Sequence, residues 1–591
     1  MSKQLTAKWN LSPLFESDND PNISKSRNQA LKETQKFVNK WKDNEDYLEN
    51  PKTLKTALDE YEKWARYFGN NFWENYYFEL RSATDQANPK LKAKVNLAEE
   101  VSQKLQNEIQ FFELKIAKID SNLQKKFLNY KPLSPYKHFL EKLFERQKYQ
   151  LSEPEEKIMN LKSSTSYTNW VRMTSTFLAH DEDKGKNISE LLGLMNSKKT
   201  KVRDCAAESF NKILERHVDV AEHELNSILQ DKKINDELRN YDRPDKARHI
   251  EDDVDTKIVE TLINTVSKNF DLAKKYYDLK AKLFKVPKLK YHERNVEYGT
   301  IEKKYKFEDS VNIIERTFNN LDLEFSAILK NFLENGNVDV YPKRGKKSGA
   351  FCTYGLITQP VYILLNYNNL LEDVRTFAHE LGHGINNELM RKAQNSLNFV
   401  TPTSTAEVAS TFMEDFVIQE LTKEANDETR LNLMMTKLNQ DISSIFRQVA
   451  FYNFEADLHK KFRGSGYLSE KTIGELFKKH MASYMGNAVE QSPGSQNWWV
   501  YVDHFRYYFY VYSYASGLLI SKSLQAKVKA DPKFIVKVKE FLSAGLSDSP
   551  KNIFSKLGID ISDPKFWQSG INEIRSLLTE TEKLAKKLGK I

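Results

Sequence analysis

Along most of the chain, apolar residues recur at three- and four-residue spacing, which predicts long amphipathic helices. Residues 1–200 read as a series of them. The pattern runs through KFVNKWKDNEDYLEN, TLKTALDEYEKWARYFGNNFWENYYFELRSAT and KAKVNLAEEVSQKLQNEIQFFELKIAKI. Ser12-Pro13 punctuates an opening WNLSPLF, and breaks fall at Pro51, Pro89, Pro132 with Pro135, and an SEPEE turn at Pro154. The aromatic run FWENYYF (72–78) reads as helix-packing core. KTKVRDCAAESFNKILERHVDVAEHELNSIL continues the helical text. Its His217 and His223 are six apart, off a common face, with no obvious acid partner, and read as surface residues. DDVDTKIVETLINTVSKNFDLAKKYYDLKAKLF reads as a helix pair, and Pro287 opens a less regular segment to Thr300.

The pattern changes at 338–368. PVYILLNY is a short apolar run rich in Val, Ile and Tyr, and its leading proline suggests an edge strand. The Gly-containing KRGKKSGAF before it reads as a loop or hairpin. A small sheet here would let an extended peptide add as a further strand, with Gly349, Ala350 and Tyr362 as candidate contacts.

Helical spacing then returns with chemistry on it. In LEDVRTFAHELGHGINNELM, His379 and His383 are four apart and share a helix face, so both can reach one metal ion. Glu380 follows the first histidine, placed to act on a water without being a ligand. Val374, Ala378, Leu381, Ile385 and Leu389 form one stripe, while Thr376, His379, His383 and Asn386 fall on another face. Asn369 with Glu372 reads as the cap of this helix.

A catalytic zinc needs three protein ligands and an open position. The next candidate is Glu407, 24 residues after His383, in the first turn of a helix that starts in TPTSTAEVASTFMEDF. Ser404 and Glu407 also fit a capping box, so pattern alone leaves both roles open. Glu414 lies seven residues on, either as an acceptor orienting a ligand histidine or as an ordinary surface acid. Further on, HFRYYFYVYSY offers His504 with Tyr507, Tyr508, Tyr510, Tyr512 and Tyr514 as donors to a developing oxyanion, against the alternative that most of these rings pack in the core. His138, His180, His249, His292, His459 and His480 have no partners at ligand spacing.

Composition narrows the class. With 20 glycines, 16 prolines and 29% charged residues, the 591-residue chain reads as a soluble, mostly helical protein. The net charge of +8 is spread out, so no nucleic-acid partner is expected. Cys205 and Cys352 are too few for a disulfide framework or a zinc-cysteine site, which fits a reducing cytoplasm. MSKQLTAKWNLSPLF lacks the apolar core of a secretory signal, and no stretch approaches a membrane span.

HELGH followed by AEVASTFMED resembles the M3 family of zinc metallopeptidases, and most closely its oligoendopeptidase F branch. WNLSPLF, FLEKLFERQKYQLSEPEEKIM, KSGAF, PVYILLNY, FRQVAFYNFE, HFRYYFYVYSYASG and FLSAGLSDSP with GID extend the resemblance over nearly the whole chain. It implies one zinc ion per chain held by His379, His383 and Glu407, with Glu380 as base and an acid at Glu414. It also implies that His504 and tyrosines of its block bind substrate and stabilise the transition state. Among these Tyr512 ranks before Tyr510 and Tyr507, and Arg506 stands where an aromatic residue is expected. The implied fold is mostly α and two-lobed, with a deep central channel and a small β-sheet beside the HExxH helix. An N-terminal domain (1–200) would precede a catalytic domain (201–591). The implied activity is cleavage of internal bonds in short, unfolded oligopeptides, by a monomer or weak homo-oligomer. A carboxypeptidase or dipeptidase of similar fold, and a non-catalytic helical peptide-binding protein, are the alternatives.

Overall fold

Three of the first long helices begin where Asp or Asn precedes a proline. Pro21–Trp41, Pro51–Phe68 and Pro89–Ile109 each carry proline in the first turn, and the side chains of Asp20, Asn50 and Asn88 accept a backbone N–H there. Proline is suited to that position because its missing N–H has no intrahelical partner to lose. At Pro154 the expected turn is instead the start of helix Glu153–Ser163, with Ser152 and Glu155 forming its capping box. The computed structural model describes residues 6–69, 71–299 and 303–591, so the expected boundary at Thr300 lies outside the described residues.

The chain is mostly helical. The longest helix, Thr200–Leu238, spans 39 residues. Among the described residues, two small sheets interrupt the helices. One is an unforeseen hairpin, Glu182–Asp183 with Lys186–Asn187, turning on Lys184 and Gly185 at positive φ. The other has three strands in the order Val338–Asp339, Tyr362–Leu364, Phe351–Thr353.

This order corrects the strand reading. Tyr362–Leu364 is central, parallel to Val338–Asp339 and antiparallel to Phe351–Thr353. Pro360 stands before the strand and removes no ladder N–H, so it does not force an edge position. The outer side of Val338–Asp339 is covered, since Val340 N donates to Ala7 O and the Trp9 indole donates to Asn337 O and Ile363 O. The other edge, Phe351–Thr353, pairs with no further strand among the described residues.

The N-terminal helices are stitched to this sheet. Phe72, Tyr76, Tyr77 and Phe78 are buried as expected, and Tyr76 Oη also donates to Thr353 O and Pro360 O. Tyr362 is buried with them, and its hydroxyl donates to Asn10 O at 2.8 Å. It therefore braces the sheet from behind and is not available to a peptide. One large core runs from Leu178 to Ala585, with separate clusters formed largely by residues 14–144.

Candidate metal centre

The HELGH motif lies in the middle of helix Leu371–Ala393. Its cap differs from the expected one. Asn369 is left-handed (φ 63°), and Asp373, not Glu372, accepts the N–H groups of Leu370 and Asn368. The stripe Val374, Ala378, Leu381, Ile385 and Leu389 is buried as the periodicity predicts. Asn386 is buried and donates to Leu542 O, so it serves packing.

Helix Ala406–Glu424 crosses at the motif itself. A Cβ on Gly382 would stand 2.5 Å from Ser410 Cα and 2.6 Å from Ala409 O, so only glycine permits this approach. The close crossing delivers Glu407 to the histidines. Its Oε2 lies 3.3 Å from His379 Nε2 and 3.7 Å from His383 Nε2. Ser410 Oγ donates to the same oxygen at 2.9 Å. Glu407 is thus directed at the histidines, and no side chain caps the start of its helix. A third helix, Tyr512–Ala530, closes the site, with Gly517 facing Glu407 across 3.0 Å from an ideal Cβ.

One ligand atom from each of His379, His383 and Glu407 lies within 4.8 Å of the other two. Their side chains keep 27%, 25% and 36% exposure, leaving a side open to a water or a substrate. Glu414 is buried, and its Oε2 meets His379 Nδ1 at 3.0 Å, fixing the ring so that Nε2 faces Glu407. Arg375, one turn before His379, donates to Glu414 Oε1 at 3.0 Å and to Glu372 at 2.7 Å.

The electrostatics suit a cation. Burial alone would lower His379, but the Glu407 and Glu414 carboxylates outweigh it and hold the imidazolium up to about 10. Burial would raise both carboxyls, yet they sit at about 2, chiefly because His379 bonds to them. A proton held between two carboxylates is what a divalent cation would displace. His383 is pushed down to about 4 by burial, so its ring is neutral and free to donate a lone pair. Glu380 is pushed up to about 7 by burial, against the pull of His379. The Cys352 N–H bonds to its carboxylate, so the edge strand Phe351–Thr353 runs directly beside it.

Asp204, His292 and Glu293 form a second group with ligand atoms in reach of each other. Lys290 already neutralises Asp204 and Arg203 neutralises Glu293, so it offers a cation little charge. His217, expected without an acid partner, is half-buried and bonds to Asp181.

The tyrosine-rich block resolves residue by residue. His504 Nδ1 hydrogen bonds to Tyr510 Oη, and burial, then the Arg447 charge, pushes its imidazole down to about 4. Tyr510 also hydrogen bonds to Tyr514, whose ring centroid is 5.9 Å from that of His504. Tyr514 and Gly517 are three apart on one face of helix Tyr512–Ala530, and Gly517 is the residue of that face that meets Glu407. Tyr512, ranked first from the sequence, lies about 140° around the helix from Gly517. Its ring is buried and its hydroxyl donates to Asp252 at 2.7 Å, away from the cluster. Tyr507 is 51% exposed and faces Tyr510. Tyr514, offered by the block but left unranked, is set apart by its three-residue spacing to Gly517. Gly349 is left-handed, and its carbonyl accepts from Asn366; Ala350 follows, half-buried, at the mouth of the edge strand.

Fold and site together define a helical hydrolase built around an HExxH metal helix. The sequence profile of peptidase family M3 matches residues 193–573, and that of oligopeptidase F matches residues 115–180. The chain therefore belongs to peptidase family M3, in its oligoendopeptidase F branch, and is a metalloendopeptidase. It is 26% identical over 490 residues to an oligoendopeptidase F homolog of Lactococcus lactis, covering 81% of each chain. It is 24% identical over 603 residues to oligopeptidase PepF of Bacillus subtilis, covering 98% of this chain and 87% of that one. Its fold is that of a crystallised Chlamydophila abortus protein (TM-score 0.85, 22% identity, 99% of each chain). It is also that of oligoendopeptidase-F from Enterococcus faecium (TM-score 0.69, 19% identity, 96% of this chain and 99% of that one). Among the described residues, no helix is long and apolar enough to cross a membrane.

Proposed function

We propose that the chain is a zinc-dependent endopeptidase that hydrolyses internal bonds of short, unfolded oligopeptides in the cytoplasm. The observation that carries this reading is the convergence of His379, His383 and Glu407 beside Glu380 and an edge strand. His379, His383 and Glu407 would hold one zinc ion per chain. Zinc bound there supplies a Lewis acid, which acidifies a water and polarises a carbonyl.

The remaining work falls to the chain's own residues. Glu414 orients His379 and Ser410 holds Glu407. A peptide pairs with the edge Phe351–Thr353 past Gly349 and Ala350, which sets its scissile carbonyl near Glu380. Glu380 takes the proton of the attacking water and passes it to the leaving amine. A carboxyl already raised by burial is suited to both transfers. His504, neutral at physiological pH, and Tyr510 with Tyr514 donate hydrogen bonds to the developing oxyanion.

A channel between the residue 1–200 and 201–591 domains would select substrates by length. The hydrophobic clusters of residues 14–144 support a distinct N-terminal unit, while Leu178–Met195 pack with the large core, and the bonding of residues 7–86 to the sheet supports a shared floor. Digestion of a peptide library followed by mass spectrometry tests the reading: it predicts internal cuts in short peptides and none in folded proteins. Losses confined to chain termini would contradict it.

A further inference from the structure

Between His504 and Tyr510 the backbone passes through two consecutive left-handed residues, Tyr508 (φ 48°) and Phe509 (φ 57°), neither of them glycine. Side-chain-bearing residues hold that conformation only where their surroundings over-determine it, and such strain gathers at functional sites. Here the surroundings are specific. Phe509 N donates to Glu455 Oε1 at 2.8 Å, and Glu455 is wholly buried in helix Arg447–Ser465. The Phe509 ring packs against Tyr452 and His459, and Tyr508 Oη donates to Ile228 O.

A second carboxylate holds the preceding residues. Arg506 donates from Nε and Nη2 to the two oxygens of Glu224, at 3.0 and 2.8 Å, and from Nη1 to the carbonyls of Trp499 and Val502. Arg506 and Glu224 are both buried. Arg506 is the residue that departs from the aromatic expected at this place. Glu224 uses both carboxylate oxygens on Arg506, while Glu455, a carboxyl that burial pushes up to about 8, directs one oxygen at the Phe509 N–H, so two buried acids act on one short loop.

We propose that Glu455 and Glu224 are positioning residues, which pre-set the loop so that His504, Tyr510 and Tyr514 meet the oxyanion in fixed geometry. This rests on the donor role given to those three residues above. Loosening the loop should hurt the chemical step more than substrate binding, because the donors matter most in the transition state.

The test uses the full-length, zinc-loaded enzyme. Glu455→Gln keeps an acceptor oxygen and should hold kcat within about threefold of wild type. Glu455→Leu fills the space without an acceptor and should lower kcat about 10- to 100-fold, with KM and metal content nearly unchanged. Arg506→Lys, which cannot span both Glu224 oxygens and two carbonyls, should lower kcat about tenfold. In a His504→Ala, Tyr510→Phe background, Glu455→Leu should cost no more than about twofold further, because the loop then carries no donor to aim. Equal losses in both backgrounds, a loss expressed in KM, or wild-type kcat in Glu455→Leu would overturn the proposal. If His504→Ala alone leaves kcat intact, the donor reading itself falls, and this proposal falls with it. If Glu455→Leu does not fold, hydrogen exchange at the wild-type Phe509 amide decides: core-like protection supports the proposal, and exchange at the rate of an exposed loop overturns it.

Discussion

Two regions converge on the candidate centre and are built by different rules. Helices Leu371–Ala393 and Ala406–Glu424 place their functional groups by spacing: histidines four apart, a glycine between them at the crossing, and Glu407 with Ser410 three apart. Local periodicity settles where those side chains go. The stretch Asp503–Val511 has no such period. His504 and Tyr510 meet across two left-handed residues, and the pegs that hold the turn, Glu455 and Glu224, come from 54 and 282 positions away in sequence. A helical site can be moved by one turn and recognised. A loop site exists only once the rest of the chain has packed around it.

The contrast can be broken first on the helical side. His383→Ala or Glu407→Ala should lose stoichiometric metal, and with it peptide cleavage by about 1,000-fold or more. Metal analysis of the purified variant checks this; full metal content in either would remove that residue from the ligand set.

On the loop side the effect should be smaller and sharply residue-dependent. His504→Ala and Tyr514→Phe are each expected to lower kcat about 100-fold, the usual scale for losing one oxyanion donor. Tyr512→Phe should stay within about threefold, since its hydroxyl serves Asp252 in the core. Steady-state kinetics on one fluorogenic peptide separates these cases. A Tyr512→Phe loss larger than that of Tyr514→Phe would reverse the assignment.

Legibility followed the same division. The helices, the apolar stripe behind HELGH and the shared face of His379 and His383 could be read from the chain, because each depends on residues within a few turns. Glu407 needed one tertiary fact, the helix crossing, which Gly382 marks in the sequence. The cap of the metal helix went to Asp373 because Asn369 adopts a left-handed turn, which spacing does not announce. PVYILLNY read as an edge because its proline drew attention; its partners on both sides lie in segments with weak strand text of two and three residues. Tyr512 outranked Tyr514 because alternating tyrosines look alike in sequence, while helix rotation sends Tyr512 to Asp252 and Tyr514 to His504 and Tyr510.

Between the two regions stands Glu414, reached by helical spacing but effective only through packing. Glu414→Gln should weaken metal affinity about 10- to 100-fold while leaving the fold intact. Chelator competition at fixed pH measures it; unchanged affinity would reduce Glu414 to a packing residue.

The smallest effect concerns the polar network under Tyr512. Burial holds His249 down to about 4, against its ordinary value of 6.5. The unfolded chain takes up a proton as pH falls through 6.5, while the folded His249 stays neutral until about pH 4. Stability should therefore fall across that window, by up to about 1.4 kcal/mol per pH unit for this one group, and level off below it. Thermal melts of wild type and His249→Asn at pH 7 and pH 5 check the sign. The variant should lose less than wild type between the two, and equal losses would show that His249 does not set the acid limb.

The most direct test of the central claim joins metal binding to turnover in a single variant. Glu380→Gln keeps every proposed ligand and removes only the base. Zinc titration of the metal-free protein should give one equivalent per chain in both wild type and Glu380→Gln. The variant should cleave an internal peptide bond at least about 1,000-fold more slowly than wild type. Near-wild-type cleavage by Glu380→Gln, or a wild-type chain that binds no stoichiometric zinc, would contradict the account.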